Sequence, residues 1–324
     1  MNITGATLNQ SRMNYRSALM GAVVWMVLIV LPVDRFAPIG IIEKLFLLGA
    51  LVVVPLGMAL VSFLDAELRE SPLLRVIAYL QPLAAIVVIC SLWRLPGMLA
   101  GLLAIPWMLV CSLLALAGIL AVRKNPSLDI PRVALLAGMI YLTGGAAWLI
   151  LSRVGKNPMN FSEPIPLLTA VHFTFTGFAA PLIVAATGRR IRASSVLKKI
   201  YNLVALGSVL ATPLIAIGFV FSPIIKVLSI VMLILSLHGL AFIFFWLLPT
   251  IPQSMGKIFL VIAGLSIFSG MIFAGMYGVG EYVGKLWISI PQMARTHGII
   301  NALGFSLCGI IGWLIISSKE SEYQ

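Results

Sequence analysis

Ten long stretches without a charged residue dominate this chain and limit what it can fold into. Each has at least 17 residues, and together they comprise residues 17–33, 45–64, 76–93, 95–122, 133–152, 164–188, 200–225, 227–256, 258–280 and 296–318. About 20 apolar residues are enough for a helix to cross a hydrocarbon core about 30 Å thick. Strands of membrane barrels are shorter and alternate in polarity, so these stretches indicate helices. The sequence therefore predicts an all-α, polytopic transmembrane helical bundle of ten spans.

Composition excludes a water-soluble fold and predicts the domain organisation. Hydrophobic residues make up 61% of the chain and charged residues 10%, whereas about a quarter of a soluble domain is charged. The tails and connections are too short for an extramembrane domain with its own core. We therefore expect a single transmembrane domain of ten helices over residues 17–318, between tails 1–16 and 319–324. The first apolar stretch has no small-residue cleavage site before Leu31 and Pro32, which predicts a retained span.

The basic residues predict how the chain is oriented. Lys and Arg outnumber Asp and Glu by 22 to 10, and cytoplasmic loops are enriched in Lys and Arg. When alternate connections are assigned to alternate sides, one side collects fourteen basic residues and the other eight. This asymmetry predicts a multipass cell-membrane protein with both termini in the cytoplasm. No segment is long and basic enough to bind a nucleic-acid duplex, so membrane lipid is the expected partner. The densest basic loop, residues 189–199, is predicted to face anionic headgroups.

Polar groups inside such apolar spans are costly unless they have a partner or a function. Counting along the spans places several of them on the outer side of the membrane. We predict catalytic roles for His172, His297 and Glu281, and substrate-binding roles for Asn301, Thr176, Arg295, Tyr277 and Glu43. His238 is expected nearer the inner side, about 21 Å along its span. The predicted functional site is thus a polar cavity that opens toward the outer leaflet.

Helical spacing supports these candidates. Thr169, His172 and Thr176 follow an i, i+3, i+7 pattern, which places them on one stripe of the sixth span. His297 and Asn301 are separated by four residues, as are Tyr277 and Glu281, so each pair shares a helix face. A helix surrounded only by lipid has no use for polar stripes, and we therefore expect these faces to point inward.

Two histidines and a carboxylate at one depth leave several chemistries open. Imidazole titrates near neutral pH, which suits proton transfer to and from a substrate. Two histidines and one carboxylate can also bind a metal, and histidines on different helices can ligate haem. No HExxH motif places two ligands on one helix, so no metal ligand set is assigned and the cofactor is unknown. Alternatively, these side chains stabilise the bundle as interhelical hydrogen-bond partners.

Two segments resemble one protein family. They are LTAVHFTFTGFAAP, residues 168–181, and MARTHGIINALGF, residues 293–305, and they are similar to the most recognisable segments of the YndJ-like bacterial multipass membrane proteins. The matching positions include His172, Gly177 and Phe178 in the first segment and the run from Thr296 to Gly298 with Asn301 to Phe305 in the second. The family commonly has a His-Phe-His triplet where this chain has Thr174 in third place. The resemblance implies no particular reaction.

The sequence thus favours a membrane enzyme that acts on a lipid or isoprenoid-like substrate. His172 and His297 would transfer protons, Glu281 would be their carboxylate partner, and Asn301 would position a polar substrate group. One alternative is a small-solute transporter, for which His238, Gln81 and Asn202 could continue a polar path. Another is a haem- or metal-binding membrane protein.

Overall fold

The computed structural model describes residues 5–31, 39–156, 158–192 and 196–322. Within these ranges all regular structure is helical, and ten helices are long and apolar enough to cross a membrane, which confirms the predicted class and number of spans. We number them spans 1 to 10 in chain order: Gln10–Val30, Ile41–Leu64, Pro72–Trp93, Met98–Lys124, Ile130–Val154, Ile165–Arg189, Val196–Phe221, Pro223–Thr250, Ser254–Tyr282 and Ile290–Lys319.

Local sequence signals fix where several spans begin. Span 3 begins at Pro72, and the preceding Ser71 accepts the amide N–H of Leu74 on its side-chain oxygen. Span 8 begins the same way at Pro223, after Ser222. Proline suits the first turn because its missing N–H would have no partner there, and a serine before it satisfies an exposed amide.

Three spans contain a π-helical segment, in which the helix widens by one residue per turn. The segments are Gly49–Val53 in span 2, Phe173–Ala179 in span 6, and Ala294–Gly298 with Ile300–Leu307 in span 10. Such segments are rare and concentrate at functional sites. Those of spans 6 and 10 lie inside the two segments that carry the family resemblance.

The chain forms two compact units, which we describe separately. Unit 1 contains Met1–Leu128 and Leu136–Ala179, and unit 2 contains Asp129–Leu135 and Ala180–Gln324. The helix of span 1 begins at Gly5, inside the predicted tail 1–16. The single domain over 17–318 and the cytoplasmic position of both termini remain predictions.

Span 2 forms the centre of unit 1, and its side chains from Leu45 to Ser62 are buried. The carbonyl oxygen of Ala50, in its π-helical segment, accepts a hydrogen bond from Gln81 Nε2 of span 3 at 2.7 Å. Gln81 Oε1 in turn accepts from Ser17 Oγ of span 1 at 2.8 Å. Because hydrocarbon offers no hydrogen bonds, this buried chain of polar groups ties spans 1, 2 and 3 together.

Glycines allow the helices of unit 2 to approach closely. A Cβ atom at Gly304 of span 10 would lie 2.0 Å from Ser266 Oγ of span 9. One at Gly207 of span 7 would lie 2.3 Å from Ser236 Oγ of span 8. Small residues drive helix association in membranes because they let backbones pack tightly. Spans 9 and 10, and spans 7 and 8, therefore pack closely at these glycines.

Candidate functional site

His172 lies where span 6 changes from α-helix to π-helix. The α-helix Ile165–His172 ends at this residue, and the π-helical segment Phe173–Ala179 follows at once. Gly144 and Gly145 of span 5 leave room for the π-helical segment, since a Cβ at Gly145 would lie 2.8 Å from Phe173 Cβ. On the span 2 side, a Cβ at Gly49 would lie 2.5 Å from Thr174 Cγ2. The residue before the bulge is therefore held by packing on both sides of the helix.

Side chains of span 6 bind carbonyl oxygens of the same helix around His172. Thr169 Oγ1 donates to Ile165 O at 2.8 Å, and Thr174 Oγ1 donates to Ala170 O at 2.9 Å. His172 Nδ1 lies 2.8 Å from Leu168 O. A carbonyl oxygen can only accept, so Nδ1 carries the proton of the neutral ring and Nε2 carries the lone pair. The ring is exposed on the surface of span 6.

His297 lies in the π-helical segment Ala294–Gly298 of span 10 and reaches a different helix. Its Nδ1 lies 2.8 Å from the carbonyl oxygen of Gly270 in span 9. By the same reasoning Nδ1 is protonated and Nε2 is the basic nitrogen. The ring is half-buried. Both histidines that the sequence singled out therefore have the same tautomer.

Asn301 joins His297, as the i, i+4 spacing predicted. Its Nδ2 lies 3.4 Å from Nε2 of the imidazole, to which it can donate, and 3.1 Å from the protonated Nδ1, to which it cannot. The contact also requires a glycine at position 270, because a Cβ there would lie 2.1 Å from Asn301 Oδ1. Asn301 Oδ1 is buried. The structure thus assembles His297, Asn301 and the backbone of Gly270 into one polar contact between spans 9 and 10.

His297 lies well below the end of span 9. Gly270 is twelve residues before the end of span 9 at Tyr282, which corresponds to about 18 Å along the helix axis. The chain after Tyr282 turns back along the end of span 9, since Lys285 N donates to Gly280 O at 2.8 Å. Span 10 therefore starts below the end of span 9, and counting residues from its first turn underestimates the depth.

His238 of span 8 lies at the level of His297, which sequence reasoning missed. Its Nε2 lies 3.1 Å from Phe268 O of span 9, and its ring packs edge-on against Phe268 at 4.6 Å. Phe268 and Gly270 are two residues apart, or about 3 Å along span 9. The two histidines thus bind carbonyl oxygens two residues apart on one helix. Counting along separate helices gave them different depths, and only the packing shows that they coincide.

Glu281 is paired with a lysine rather than with a histidine. Its Oε1 lies 2.8 Å from Lys226 Nζ of span 8, whose side chain is 11% exposed against 39% for Glu281. Lys226 Nζ also lies 4.7 Å from the ring centre of Phe219, a cation–π contact. Tyr277 interacts electrostatically with Glu281 one helical turn away. Eleven residues separate Glu281 from Gly270, about 16 Å along span 9, so this carboxylate is not beside His297.

The other predicted residues take separate positions. Glu43 Oε2 accepts the amide N–H of Gly40 at 2.9 Å, at the start of span 2. It also interacts with Arg153, a residue only 5% exposed that interacts with Glu163 too. Thr176 is half-buried in the π-helical segment of span 6, and Arg295 is exposed in that of span 10. Lys226 and Arg153 were not among the predicted site residues, although the sequence places each beside the end of an uncharged stretch.

No metal ligand set is apparent within the described part of the chain. Groups of three or more His, Cys, Asp or Glu side chains that could hold a metal ion do not occur there. The metal- or haem-binding alternative therefore stays a prediction without an assigned ligand set.

Comparison with known proteins identifies similar sequences. The sequence model of the YndJ-like protein family matches residues 44–305, which include both resembling segments. An uncharacterized membrane protein, YndJ of Bacillus subtilis (strain 168), is 28% identical over 222 residues, or 68% of this chain and 40% of the relative. The chain therefore spans less than half the length of this relative. No solved structure matches the chain.

Proposed function

This chain belongs to the YndJ-like family of multipass membrane proteins, and on that premise we propose that it is a membrane enzyme that acts on a lipid or isoprenoid-like substrate. The proposed chemistry is general acid–base catalysis by His172 and His297. The observation that carries the proposal is the tautomer that the two rings share. Each gives Nδ1 to a carbonyl oxygen at 2.8 Å, which makes Nε2 the nitrogen that takes up and returns a proton.

Fixed orientation matters because proton transfer requires the base to lie within hydrogen-bonding reach of the reacting atom. The π-helical segments next to both histidines are held by glycine contacts, at Gly145 for span 6 and at Gly270 for span 10. A rigid ring keeps its basic nitrogen in one direction without a further loss of side-chain entropy on binding. Such an arrangement suits a substrate that is itself soluble in the membrane.

A polar side chain follows each histidine by about one helical turn. Thr176 follows His172 by four residues, and Asn301 follows His297 by four, so each can contact a polar group on the substrate. Arg295, Tyr277 and Glu43 are proposed to bind the polar end of the substrate. Because Glu281 is engaged by Lys226 and lies about 16 Å from Gly270 along span 9, proton transfer is assigned to the two histidines without it.

The test compares three alanine variants in bacteria that overproduce the full chain. We expect His172→Ala and His297→Ala to fold and to lose the change in cellular lipids that the unaltered chain causes, because general acid–base catalysis typically contributes about 100-fold or more in rate. His238→Ala is the matched control, since it also removes one imidazole bonded to a carbonyl. Yield and thermal stability in detergent verify folding, and total lipid extracts are compared by mass spectrometry. Catalysis would be refuted if the folded His172→Ala and His297→Ala variants caused the same change in cellular lipids as the unaltered chain.

A proton-coupled transporter of a small solute is the second candidate, and the level of His238 favours it. His238 and His297 bind carbonyls two residues apart on span 9, so two imidazoles lie at one level of this helix. Uptake into vesicles that contain the purified chain distinguishes the two functions. Loss of solute-driven proton flux in both His238→Ala and His297→Ala supports transport, whereas an unaffected flux together with lost lipid chemistry supports the enzyme.

A further inference from the structure

His238 lies in the middle of span 8, on a stripe of the helix that is exposed. It follows Pro223 by 15 residues and precedes Thr250 by 12, which corresponds to about 22 Å and about 18 Å along the axis. Leu235 and Phe242 share the stripe with it and are 67% and 66% exposed. The imidazole itself is half-buried. Ionisable side chains are rare at such a depth in a membrane and mark functional sites.

The hydrogen bonding of His238 leaves one ring nitrogen available to a ligand. Nε2 lies 3.1 Å from Phe268 O of span 9, and a carbonyl oxygen can only accept, so Nε2 carries the proton of the neutral ring. The lone pair therefore lies on Nδ1. The contacts described for this side chain use Nε2 and the ring contact with Phe268, and hydrocarbon supplies no donor to Nδ1. A ligand that suits this nitrogen carries a hydrogen-bond donor such as a hydroxyl group.

Two exposed aromatic rings lie beside the imidazole. The ring of Phe268, which is 43% exposed, lies 4.6 Å from that of His238 at an interplanar angle of 74°. The ring of Phe242 lies 6.4 Å from that of Phe268 at 85°. Leu265 and Ile272 extend this surface along span 9 and are 59% and 51% exposed. Aromatic rings attract one another edge-to-face or in offset stacks, so this surface suits an aromatic group with an apolar tail.

We propose that spans 8 and 9 bind a membrane-soluble hydroquinone on this exposed surface of unit 2. One hydroxyl group of the ligand donates to His238 Nδ1, and its aromatic ring packs against Phe242 and Phe268. The acceptor on Nδ1 selects the hydroquinone over the quinone, whose oxygens can only accept. The two rings select it over an isoprenoid alcohol. Because two residues turn an α-helix by about 200°, His297 contacts the opposite side of span 9, and the site is independent of the proposed acid–base chemistry.

The experiment titrates three probes into the purified full chain with 15N-labelled histidine. The probes are a naphthohydroquinone with a farnesyl tail, kept without oxygen, the corresponding quinone, and farnesol. The chain has three histidines, so NMR follows each ring separately. We expect the hydroquinone to shift Nδ1 of His238, to leave His172 and His297 unaltered, and to bind about fivefold more tightly than the quinone, because it gains one hydrogen bond. His238→Leu should abolish this preference.

Two substitutions of exposed phenylalanines separate this site from general binding to apolar surface. Phe242→Leu removes one aromatic ring, keeps the hydrogen bond of His238, and should weaken hydroquinone binding about fivefold. Phe221→Leu is the matched control, since Phe221 is 79% exposed at the end of span 7, and it should leave the affinity unaltered. Equal losses in both variants would overturn the proposal, as would equal affinity for the hydroquinone and either other probe. A shift of His172 or His297 instead of His238 would place the ligand elsewhere and would also overturn it.

Discussion

The histidines of spans 6 and 10 have the same tautomer, and different contacts fix it in each case. His172 binds Leu168 O of its own helix, four residues earlier, whereas His297 binds Gly270 O of span 9. The first ring is exposed and the second is half-buried. The orientation of His172 is thus a property of local helix geometry, while that of His297 depends on how two helices pack. Substitutions in neighbouring helices should therefore affect the two rings unequally.

The largest effect is expected from Gly270→Ala. The added methyl group would lie 2.1 Å from Asn301 Oδ1, and overpacking of this kind costs about 1–3 kcal/mol. The melting temperature in detergent should fall, and the 15N resonances of His297 should shift while those of His172 stay. Gly275→Ala is the control, since its nearest neighbour outside span 9 is Ile234 Cδ1 at 3.4 Å. Similar destabilisation by both substitutions would break the comparison.

A somewhat smaller loss of stability is expected from Lys226→Met. This substitution tests how much the ion pair near the end of span 9 contributes to the packing of that helix. The pair with Glu281 is intermediate between a surface and a buried ion pair, so we expect a loss of about 1–2 kcal/mol. Part of this loss comes from the carboxylate left without its cation. The double variant Lys226→Met/Glu281→Gln should therefore be more stable than the single one. Equal thermal stability of the single and the double variant would show that the carboxylate left without its cation costs nothing.

Thr174→Val probes the local contribution in span 6. The substitution keeps the shape of a side chain that is 1% exposed and removes its 2.9 Å hydrogen bond to Ala170 O. Hydrogen bonds within membrane-spanning helices contribute about 0.6 kcal/mol on average, so a fall of this size in unfolding free energy is expected. Thr296→Val, which removes the bond to Gln292 O in span 10, is the matched variant at a less buried position and should cost less.

The smallest change in stability, with the clearest spectroscopic effect, is expected from Asn301→Ala. Removing the amide 3.1 Å from His297 Nδ1 should shift the ring nitrogens of His297 in 15N NMR and leave His172 unaltered. Thr176→Val is the corresponding substitution in span 6 and should leave His297 unaltered. If Asn301→Ala shifts both histidines equally, the two rings are coupled and the contrast between local and packing-dependent orientation is wrong.

Much of the architecture was predictable because hydrocarbon imposes a single rule on every span. Because lipid chains offer no hydrogen bonds, every residue of a span must be apolar or have a partner inside the protein. Long uncharged stretches therefore indicate both the helical class and the number of spans. The same rule made the polar residues inside spans conspicuous, and His297 with Asn301 proved to be a contact pair.

Other features depended on contacts between residues far apart in the sequence. Lys226 had no sequence signal that named Glu281 as its partner, 55 residues later. The π-helical segments arise where Phe173 packs against Gly145 and where span 10 packs against Gly270. The common level of His238 and His297 required the relative shift of spans 8, 9 and 10, which residue counting along each span cannot give.

The sequence by itself determined that this is a helical membrane protein and how many spans it has. It also identified the few side chains whose transfer to hydrocarbon costs enough free energy to require a partner. Only the tertiary structure decided what those partners are and at what depth they meet. Hydrophobicity acts on each span separately and is written in its composition. Partner choice depends on the sliding and close approach of helices, and these are set by contacts between residues distant in the chain.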